Sequence, residues 1–120
     1  MTASAQLDAT LTALADPTRR AILRRLSGGE ARVTEIASPF TMSLNAVSKH
    51  IRVLERADLV RRRRAGREHF LAVNPRSLDH AAAWIAGQRS LWAARLDALD
   101  ALLREEDAAT PAAEEKGSHL

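Results

Sequence analysis

The hydrophobic pattern of residues 43–73 changes from a helical to an extended period near Asp58, and this change limits the fold more than any other feature. Ser43 is a typical N-cap residue, and the helical pattern after it continues to about residue 57. Four apolar residues fall on one side of this predicted helix: Leu44, Val47, Ile51 and Leu54. The sequence therefore predicts an amphipathic helix that is followed directly by strands.

The other side of this helix carries amide, hydroxyl and cationic groups. They are Asn45, Ser48, Lys49, Arg52 and Arg56. Such groups match the hydrogen-bonding edges of bases and the phosphates that line a major groove of DNA. The alternative is an ordinary solvated face, but such a face more often mixes both signs of charge, and here only Glu55 is acidic. The pattern favours a DNA-binding helix.

Residues 59–73 are predicted to form a β-hairpin. Two extended segments, 59–64 and 67–73, flank Ala65-Gly66, where glycine supplies the positive φ of a tight turn. Five arginines lie on or beside its tip: Arg61, Arg62, Arg63, Arg64 and Arg67. Edge strands often carry charge only to prevent aggregation. Five like charges in seven residues repel one another, however, so the hairpin is more consistent with a place beside phosphate.

The charge of the chain is unevenly distributed. Residues 16–76 hold 14 Lys and Arg against 6 Asp and Glu, whereas residues 77–120 hold 4 against 8. A basic segment next to an acidic one suggests a polyanion-binding unit joined to a segment with another task. The absence of cysteine excludes disulfides and thiolate metal sites, and the aromatic content of 3% argues against a base-stacking platform. Without a membrane-spanning run or a signal peptide, we expect a cytoplasmic protein.

Three further helices are predicted before residue 43, and one after the hairpin. The first carries Leu7, Leu11 and Leu14 on one stripe, and the second begins at Asp16-Pro17. The second turns Ile22, Leu23 and Leu26 inward and ends at Gly28-Gly29. The third is very short and is capped by Thr34. The last helix begins at Pro75 and runs to about residue 105. We expect one domain, 1–107, and a disordered tail, 108–120.

The last helix has two neighbouring apolar stripes, of which one can pack on the rest of the chain. The second needs another partner, and a copy of the same chain is the simplest candidate. The residues expected in a homodimer interface are Leu7, Leu11, Trp84, Leu91, Trp92, Leu96 and Leu99. The two tryptophans could instead line an inducer pocket, but large apolar residues at helical spacing are more often core or interface.

Three helices followed by a basic hairpin are the order of elements in a winged helix-turn-helix. The sequence resembles the ArsR/SmtB family of small dimeric bacterial transcriptional repressors. The resemblance is carried by LADPTRRAILRRL at 14–26, VTEIA at 33–37, MSLNAVSKHIRVLERADLV at 42–60 and RRRRAGREHFLAVNP at 61–75. It implies a mainly α fold with a small β-hairpin, which dimerises through its first and last helices.

The resemblance also implies which residues contact DNA. The recognition element covers Ser43, Asn45, Ser48, Lys49, His50 and Arg52. We expect Asn45, Ser48 and Lys49 to approach base edges, and Arg52 and Arg56 to hold phosphates. Packing of His50 against the hairpin is an equal alternative to a DNA contact. The expected wing contacts are Arg63, Arg64 and Arg67, and the expected outer backbone contacts are Arg19 and Arg20.

The chain departs from the family in the residues that sense metal. Many members use a Cys-x-Cys pair on the short third helix, where this chain has no thiolate between Thr34 and Ala37. Others use Asp, His and Glu on the last helix, but Asp79 and His80 are adjacent here and point about 100° apart. The chain thus resembles the metal-independent branch, and we expect no metal and no cofactor. A small-molecule or protein effector stays open.

These features predict a homodimeric, sequence-specific DNA-binding repressor. The main alternative is a non-specific architectural DNA-binding protein, which explains the arginines but gives Asn45 and Ser48 no purpose. A hydrolase built on Ser48 and His50 is disfavoured, because residues two apart on a helix do not face each other. A dimerisation adaptor whose arginines bind an acidic protein is a further alternative.

Overall fold

The structure of the chain, a computed structural model, describes residues 2–109 and is mainly α-helical with a small antiparallel sheet. It divides into two compact units, with the boundary between Ala83 and Trp84. The elements in chain order are α1 (Ala3–Leu14), α2 (Pro17–Leu26), β1 (Ala31–Arg32), α3 (Val33–Ala37), α4 (Leu44–Arg56), β2 (Val60–Ala65), β3 (Glu68–Val73) and α5 (Pro75–Ala109).

Side chains at the predicted caps begin helices α2 and α4. The Asp16 carboxylate accepts a hydrogen bond from the Arg19 N–H at 3.0 Å, and Pro17 opens α2. The Ser43 hydroxyl likewise accepts from the Ala46 N–H at 3.1 Å. Both predicted caps are confirmed, because each side-chain oxygen satisfies an N–H group that the helix itself leaves unpaired.

Helix α3 begins before the predicted cap. The residue at its N-cap is Arg32 and not Thr34, so the expected cap was wrong. The reason is Glu35, whose carboxylate accepts a hydrogen bond from the Arg32 N–H at 3.1 Å. Arg32 has the extended backbone of β1, and the chain passes from that strand into the helix without an intervening loop.

Helix α4 packs its apolar side into the core and ends in a Schellman motif. Val47, Ile51 and Leu54 are fully buried as predicted, but Leu44 is 52% exposed. Leu44 is the first residue of α4 and lies almost one turn before Val47, the first buried residue of the helix. At the other end, Asp58 has a φ of 58°, and the N–H groups of Asp58 and Leu59 donate back to carbonyls of the last turn.

The sheet has three antiparallel strands in the order β1-β3-β2. Strands β2 and β3 form the predicted hairpin, and Gly66 at its tip has a φ of 62°. Strand β1 was not predicted, because two residues are too short to show an alternating pattern. It pairs Ala31 with Leu71 and Arg32 with Phe70, and so joins the segment before α3 to the hairpin.

One apolar core connects the first four helices with the sheet. Its buried members are Ala13, Ile22, Leu26, Ala31, Ile36, Val47, Ile51, Leu54, Ala57, Leu59, Val60 and Leu71. Every element from α1 to β3 supplies at least one of them, which fixes the position of α4 relative to the hairpin. At about 25 cal/mol per Å² of apolar surface removed from water, such burial is the main stabilising contribution.

Helix α5 begins at Pro75 as predicted and continues to Ala109, a few residues beyond the expected end. Residues 108 and 109 of the predicted tail are therefore helical, and its remainder, 110–120, lies outside the described residues. Among residues 84–109 every side chain except Gln88 is exposed. Within the described chain, no helix combines the length and apolar character needed to cross a membrane.

Candidate DNA-binding surface

The outward side of α4 carries polar side chains that are free to bind another molecule. Asn45, Lys49, Arg52 and Arg56 are exposed, and Ser48 is half-buried. Within residues 2–109, the amide of Asn45, the ammonium of Lys49 and the guanidinium of Arg52 have no hydrogen-bond or ion-pair partner. The structure thus brings the predicted residues of α4 together on one surface that is not used for internal packing.

His50 belongs to the interior side of this surface. Its Nδ1 lies 3.4 Å from Nη1 of Arg19 and 3.7 Å from a carboxylate oxygen of Asp16. The side chain thus contacts the start of α2, and the two expected roles of His50, packing against the hairpin or contact with DNA, both stay predictions. The pKa of the Asp16 carboxyl is lowered by the hydrogen bond from the Arg19 N–H and, less strongly, by nearby His50.

Arg19 and Arg20 are turned toward the end of α1. Arg19 donates from Nε to the Ala13 carbonyl at 2.8 Å and from Nη2 to the Thr12 carbonyl at 3.1 Å. Arg20 donates from Nη1 to the Leu14 carbonyl at 2.9 Å. These carbonyls lie at the C-terminal end of a helix, where cations are favoured. Both arginines therefore have a structural role, and their expected backbone contact with DNA stays a prediction.

The exposed arginines of the hairpin, here called the wing (residues 60–73), have different degrees of internal pairing. Arg67 has no partner within the described chain, and Arg64 donates only to the Gly66 carbonyl at 3.3 Å. Arg61 lies 3.8 Å from a carboxylate oxygen of Asp58. The guanidinium groups nearest the tip are therefore the ones most available to an external anion.

Arg62 is paired with a carboxylate on α4, the candidate recognition helix. Its Nη2 and Nε donate to the two carboxylate oxygens of Glu55 at 2.8 and 3.1 Å. Its Nη1 lies 3.2 Å from Nδ1 of His69. The hydrogen bond to Glu55 is the largest cause that raises the pKa of Arg62 above its ordinary value.

Arg63 is held by the turn that precedes β1. Its Nη2 and Nε donate to the carboxylate of Glu30 at 2.7 and 3.0 Å, and its guanidinium lies 4.5 Å from the centre of the Phe70 ring. The bond from Arg63 is also the largest cause that lowers the pKa of Glu30. Such forked pairs combine charge with fixed geometry.

The sequence interpretation missed these two carboxylate partners. Glu55 is seven residues from Arg62, and Glu30 is 33 residues from Arg63, so no local spacing connects them. The only available signal was the excess of positive charge in the hairpin, which requires compensation somewhere in the fold. The sequence places Arg62 among the basic residues of the hairpin and predicts no site role for it.

The residues expected at a dimer interface are largely exposed. On α1, Leu7 is half-buried and Leu11 is 36% exposed. On α5, five expected residues are between 48% and 62% exposed: Trp84, Leu91, Trp92, Leu96 and Leu99. Three more large apolar residues of α5 are similarly exposed, at 49% to 59%: Ile85, Leu102 and Leu103.

Asp79 and His80 are both exposed at the start of α5. In the described part of the chain, no group of three or more His, Cys, Asp or Glu side chains is arranged to hold a metal ion.

Comparison with known proteins agrees with this arrangement. A helix-turn-helix domain family matches residues 14–63. The chain is 33% identical over 73 residues to the transcriptional repressor SdpR of Bacillus subtilis, a match that covers 61% of this chain and 81% of that protein. Over 71 residues it is 44% identical to the HTH-type transcriptional regulator Rv2034 of Mycobacterium tuberculosis, with coverage of 59% and 66%.

A solved structure supports the same assignment at the level of the fold. A crystal structure described as an ArsR family transcriptional regulator superposes with a TM-score of 0.71 at 44% identity, covering 74% of this chain and 92% of the other. The homodimeric winged helix-turn-helix DNA-binding domain Mb0332 of Mycobacterium bovis gives a TM-score of 0.57 at 27% identity, covering 72% and 82%. The chain belongs to the ArsR/SmtB family of winged helix-turn-helix transcriptional regulators.

Proposed function

We propose that this chain is a homodimeric repressor that binds an inverted-repeat DNA operator. The observation that carries the proposal is the outward side of α4, where Asn45, Lys49 and Arg52 are exposed and have no internal partner within residues 2–109. An apolar core holds α4 against the fold from its opposite side. This helix can therefore enter a major groove without any internal contact of these three side chains being broken.

The base contacts are proposed for the first two turns of α4. Asn45 can pair in a bidentate manner with adenine, and Lys49 can donate to guanine. Ser48 is half-buried, so it reaches only a base that comes close to the helix. Ser43 begins the helix, and its hydroxyl is occupied by the cap, so its proposed contact is with the DNA backbone.

Phosphate contacts are proposed for Arg52 and Arg56 on α4 and for Arg64 and Arg67 on the wing. These four side chains are exposed, and none of them forms an ion pair with a carboxylate in the described chain. Arg63 can reach a phosphate only by leaving Glu30. Because His50 is held between Asp16 and Arg19, we assign it to the support of α4 and not to base recognition.

The dimer is proposed to form through the apolar residues of α5, with a contribution from Leu7 and Leu11 of α1. The exposed Trp84, Leu91, Trp92, Leu96 and Leu99 would otherwise leave a large apolar surface in water. The homodimeric state of the Mycobacterium bovis domain supports this proposal. Two copies would place two α4 helices in successive major grooves, about 34 Å apart.

Repression is proposed to act by occlusion, in which the bound dimer competes with polymerase for a promoter. We place the chain in the metal-independent branch, because the residues between Thr34 and Ala37 offer no thiolate and the last helix offers no suitable ligand group. No catalytic activity is proposed. The domain is taken as residues 1–107, and any effector is a small molecule or a partner protein.

The experiment is a selection of bound duplexes from a genomic fragment pool, with and without added Zn²⁺ or Ni²⁺. The proposal predicts an enriched inverted repeat, an unchanged footprint in the presence of metal, and an affinity that falls steeply with salt. Equal retention of unrelated fragments would instead support a non-specific architectural protein. Binding to an acidic protein with no retained DNA would support the adaptor alternative.

A further inference from the structure

Two consecutive arginines of the wing are each held by a carboxylate from the body of the domain. Arg62 and Arg63 are neighbours in β2, so their side chains leave the strand on opposite faces. On one face Arg62 forms a forked pair with Glu55, and on the other Arg63 forms a forked pair with Glu30. The strand is therefore fastened from both sides.

The two pairs connect the wing to the surfaces that position it on DNA. Glu55 belongs to α4, so the bond to Arg62 fixes the distance between the wing and the proposed recognition helix. Glu30 directly precedes β1, the strand that pairs with β3 of the same hairpin. A forked arginine–carboxylate pair restricts orientation as well as distance, so the wing is held in one position relative to α4.

The same pairs lower the charge that the wing offers to DNA. Of its five arginines, Arg62 and Arg63 each have a carboxylate within 2.8 Å, whereas Arg64 and Arg67 have none in the described chain. The sequence-independent part of DNA binding comes almost entirely from phosphate contacts. A guanidinium that is already paired adds little to this binding, because it must first lose its carboxylate.

We propose that Glu55 and Glu30 are specificity-determining positioning residues, which hold Arg62 and Arg63 away from phosphates and thereby limit binding to non-operator DNA. The inference rests on the proposed DNA-binding function. Each carboxylate acts through its arginine and does not itself contact DNA. Their combined effect is a wing that is held in register with α4 and whose phosphate contacts come mainly from Arg64 and Arg67.

The test compares Glu55→Gln and Glu30→Gln with the wild type on two duplexes, the selected operator and a scrambled duplex of the same length. Each variant frees one arginine per protomer. The proposed dimer then gains two phosphate contacts, which make the slope of log affinity against log salt steeper by about 1.8. We expect the scrambled duplex to be bound roughly three- to tenfold more tightly at about 0.1 M salt, and the ratio of operator to scrambled affinity to fall.

The double variants E55Q/R62Q and E30Q/R63Q separate this effect from a loss of structure. If the freed arginine causes the gain, its removal returns both the salt slope and the scrambled-duplex affinity to the wild-type values. The matched control is Asp100→Asn, which removes the carboxylate that pairs with Arg104 Nη2 at 2.9 Å in α5. This control makes the same change in net charge outside the wing. We expect it to leave the salt slope unchanged on both the operator and the scrambled duplex.

Three results would overturn the inference: an unchanged salt slope in both Gln variants, a gain that persists in the double variants, or an equal gain in Asp100→Asn. The wild type gives the separate test of the proposed function. If the wild type does not distinguish operator from scrambled DNA, the proposed function is wrong. If the wild type does distinguish them and both Gln variants bind like the wild type, the proposed function stands and only the role of Glu55 and Glu30 is wrong.

Discussion

The side-chain amide of Gln6 in α1 donates a hydrogen bond to the backbone carbonyl of Ala57, at the end of α4, over 2.7 Å. Ala57 is only 2% exposed, so water cannot easily replace this donor. The next carbonyl, that of Asp58, accepts from Asn74 Nδ2 at 2.9 Å and from Ser77 Oγ at 2.8 Å. Side chains from both ends of the winged-helix unit therefore hold the end of the proposed recognition helix.

Replacement of Gln6 by Leu should destabilise the fold. The variant keeps an apolar stem of similar length but leaves the Ala57 carbonyl without its donor, which costs about 1–3 kcal/mol for a buried group. Urea unfolding followed by circular dichroism measures the free energy of unfolding. Ser4→Ala, on an exposed position of the same helix, is the control. Equal stability of Gln6→Leu and the wild type would show that the bond contributes nothing.

The left-handed backbone of Asp58 should make glycine better than alanine at this position. Its φ of 58° places the Cβ of an L-residue against the neighbouring carbonyl, and this strain is about 1–2 kcal/mol. Asp58→Gly and Asp58→Ala both remove the carboxylate near Arg61, so their difference isolates the backbone. Thermal unfolding should give the higher Tm for Asp58→Gly. A higher Tm for Asp58→Ala would contradict the Schellman geometry.

The stabilising effect of Asp16 should disappear in acid. The pKa of its carboxyl is lowered in the folded state, first by the hydrogen bond from the Arg19 N–H. Its contribution is therefore present above the ordinary pKa near 3.8 and is lost as the pH falls through the lowered value. Asp16→Asn keeps a capping oxygen without the charge.

Denaturant unfolding of the wild type and Asp16→Asn between pH 7 and pH 2 measures this effect. The difference in unfolding free energy between the two proteins should be constant near neutral pH and should shrink in acid. Other carboxylates titrate in both proteins and cancel in the difference. A difference that stays the same over the whole range would mean that the charge of Asp16 does not stabilise the fold.

Replacement of Leu99 by Glu should convert the proposed dimer into monomers. Leu99 is 52% exposed on α5, so a charge there costs the isolated chain little but would be buried in the interface. Sedimentation equilibrium measures the mass, and the fluorescence of Trp84 and Trp92, the only tryptophans, reports whether the interface is dry. Arg89→Glu is the control on the same helix. A wild type that stays monomeric at high concentration would contradict the proposed interface.

The elements of the fold were predictable wherever a local pattern was long enough. The buried side of α4, the caps at Asp16 and Ser43, and the glycine turn of the hairpin all follow from spacing within one segment. Strand β1 and the start of α3 were not predictable in this way. A strand of two residues is too short to show an alternating hydrophobic pattern. The hydrogen bond from the Arg32 N–H to the Glu35 carboxylate depends on the backbone conformation between β1 and α3.

The candidate site was predictable in its residue types but not in its pairing. The exposed face of α4 follows from helical geometry, because the apolar residues on the opposite side determine its orientation. Arg19 donates to a carbonyl at the end of α1, and Arg63 donates to Glu30. Both hydrogen bonds join different segments of the chain, so no spacing within one segment predicts them. Such contacts become visible only when the core has brought those segments together.

The most direct test of the central account is the binding of Asn45→Ala to the selected operator and to a scrambled duplex, measured by fluorescence anisotropy at one salt concentration. A bidentate contact to a base is worth about 1–3 kcal/mol of discrimination. Because the proposed dimer makes this contact in both half-sites, the account predicts that the variant loses roughly 30-fold or more in operator affinity, while its affinity for scrambled DNA and its salt slope stay at the wild-type values. Equal losses on both duplexes, or no loss on either, would show that the outward side of α4 does not read sequence.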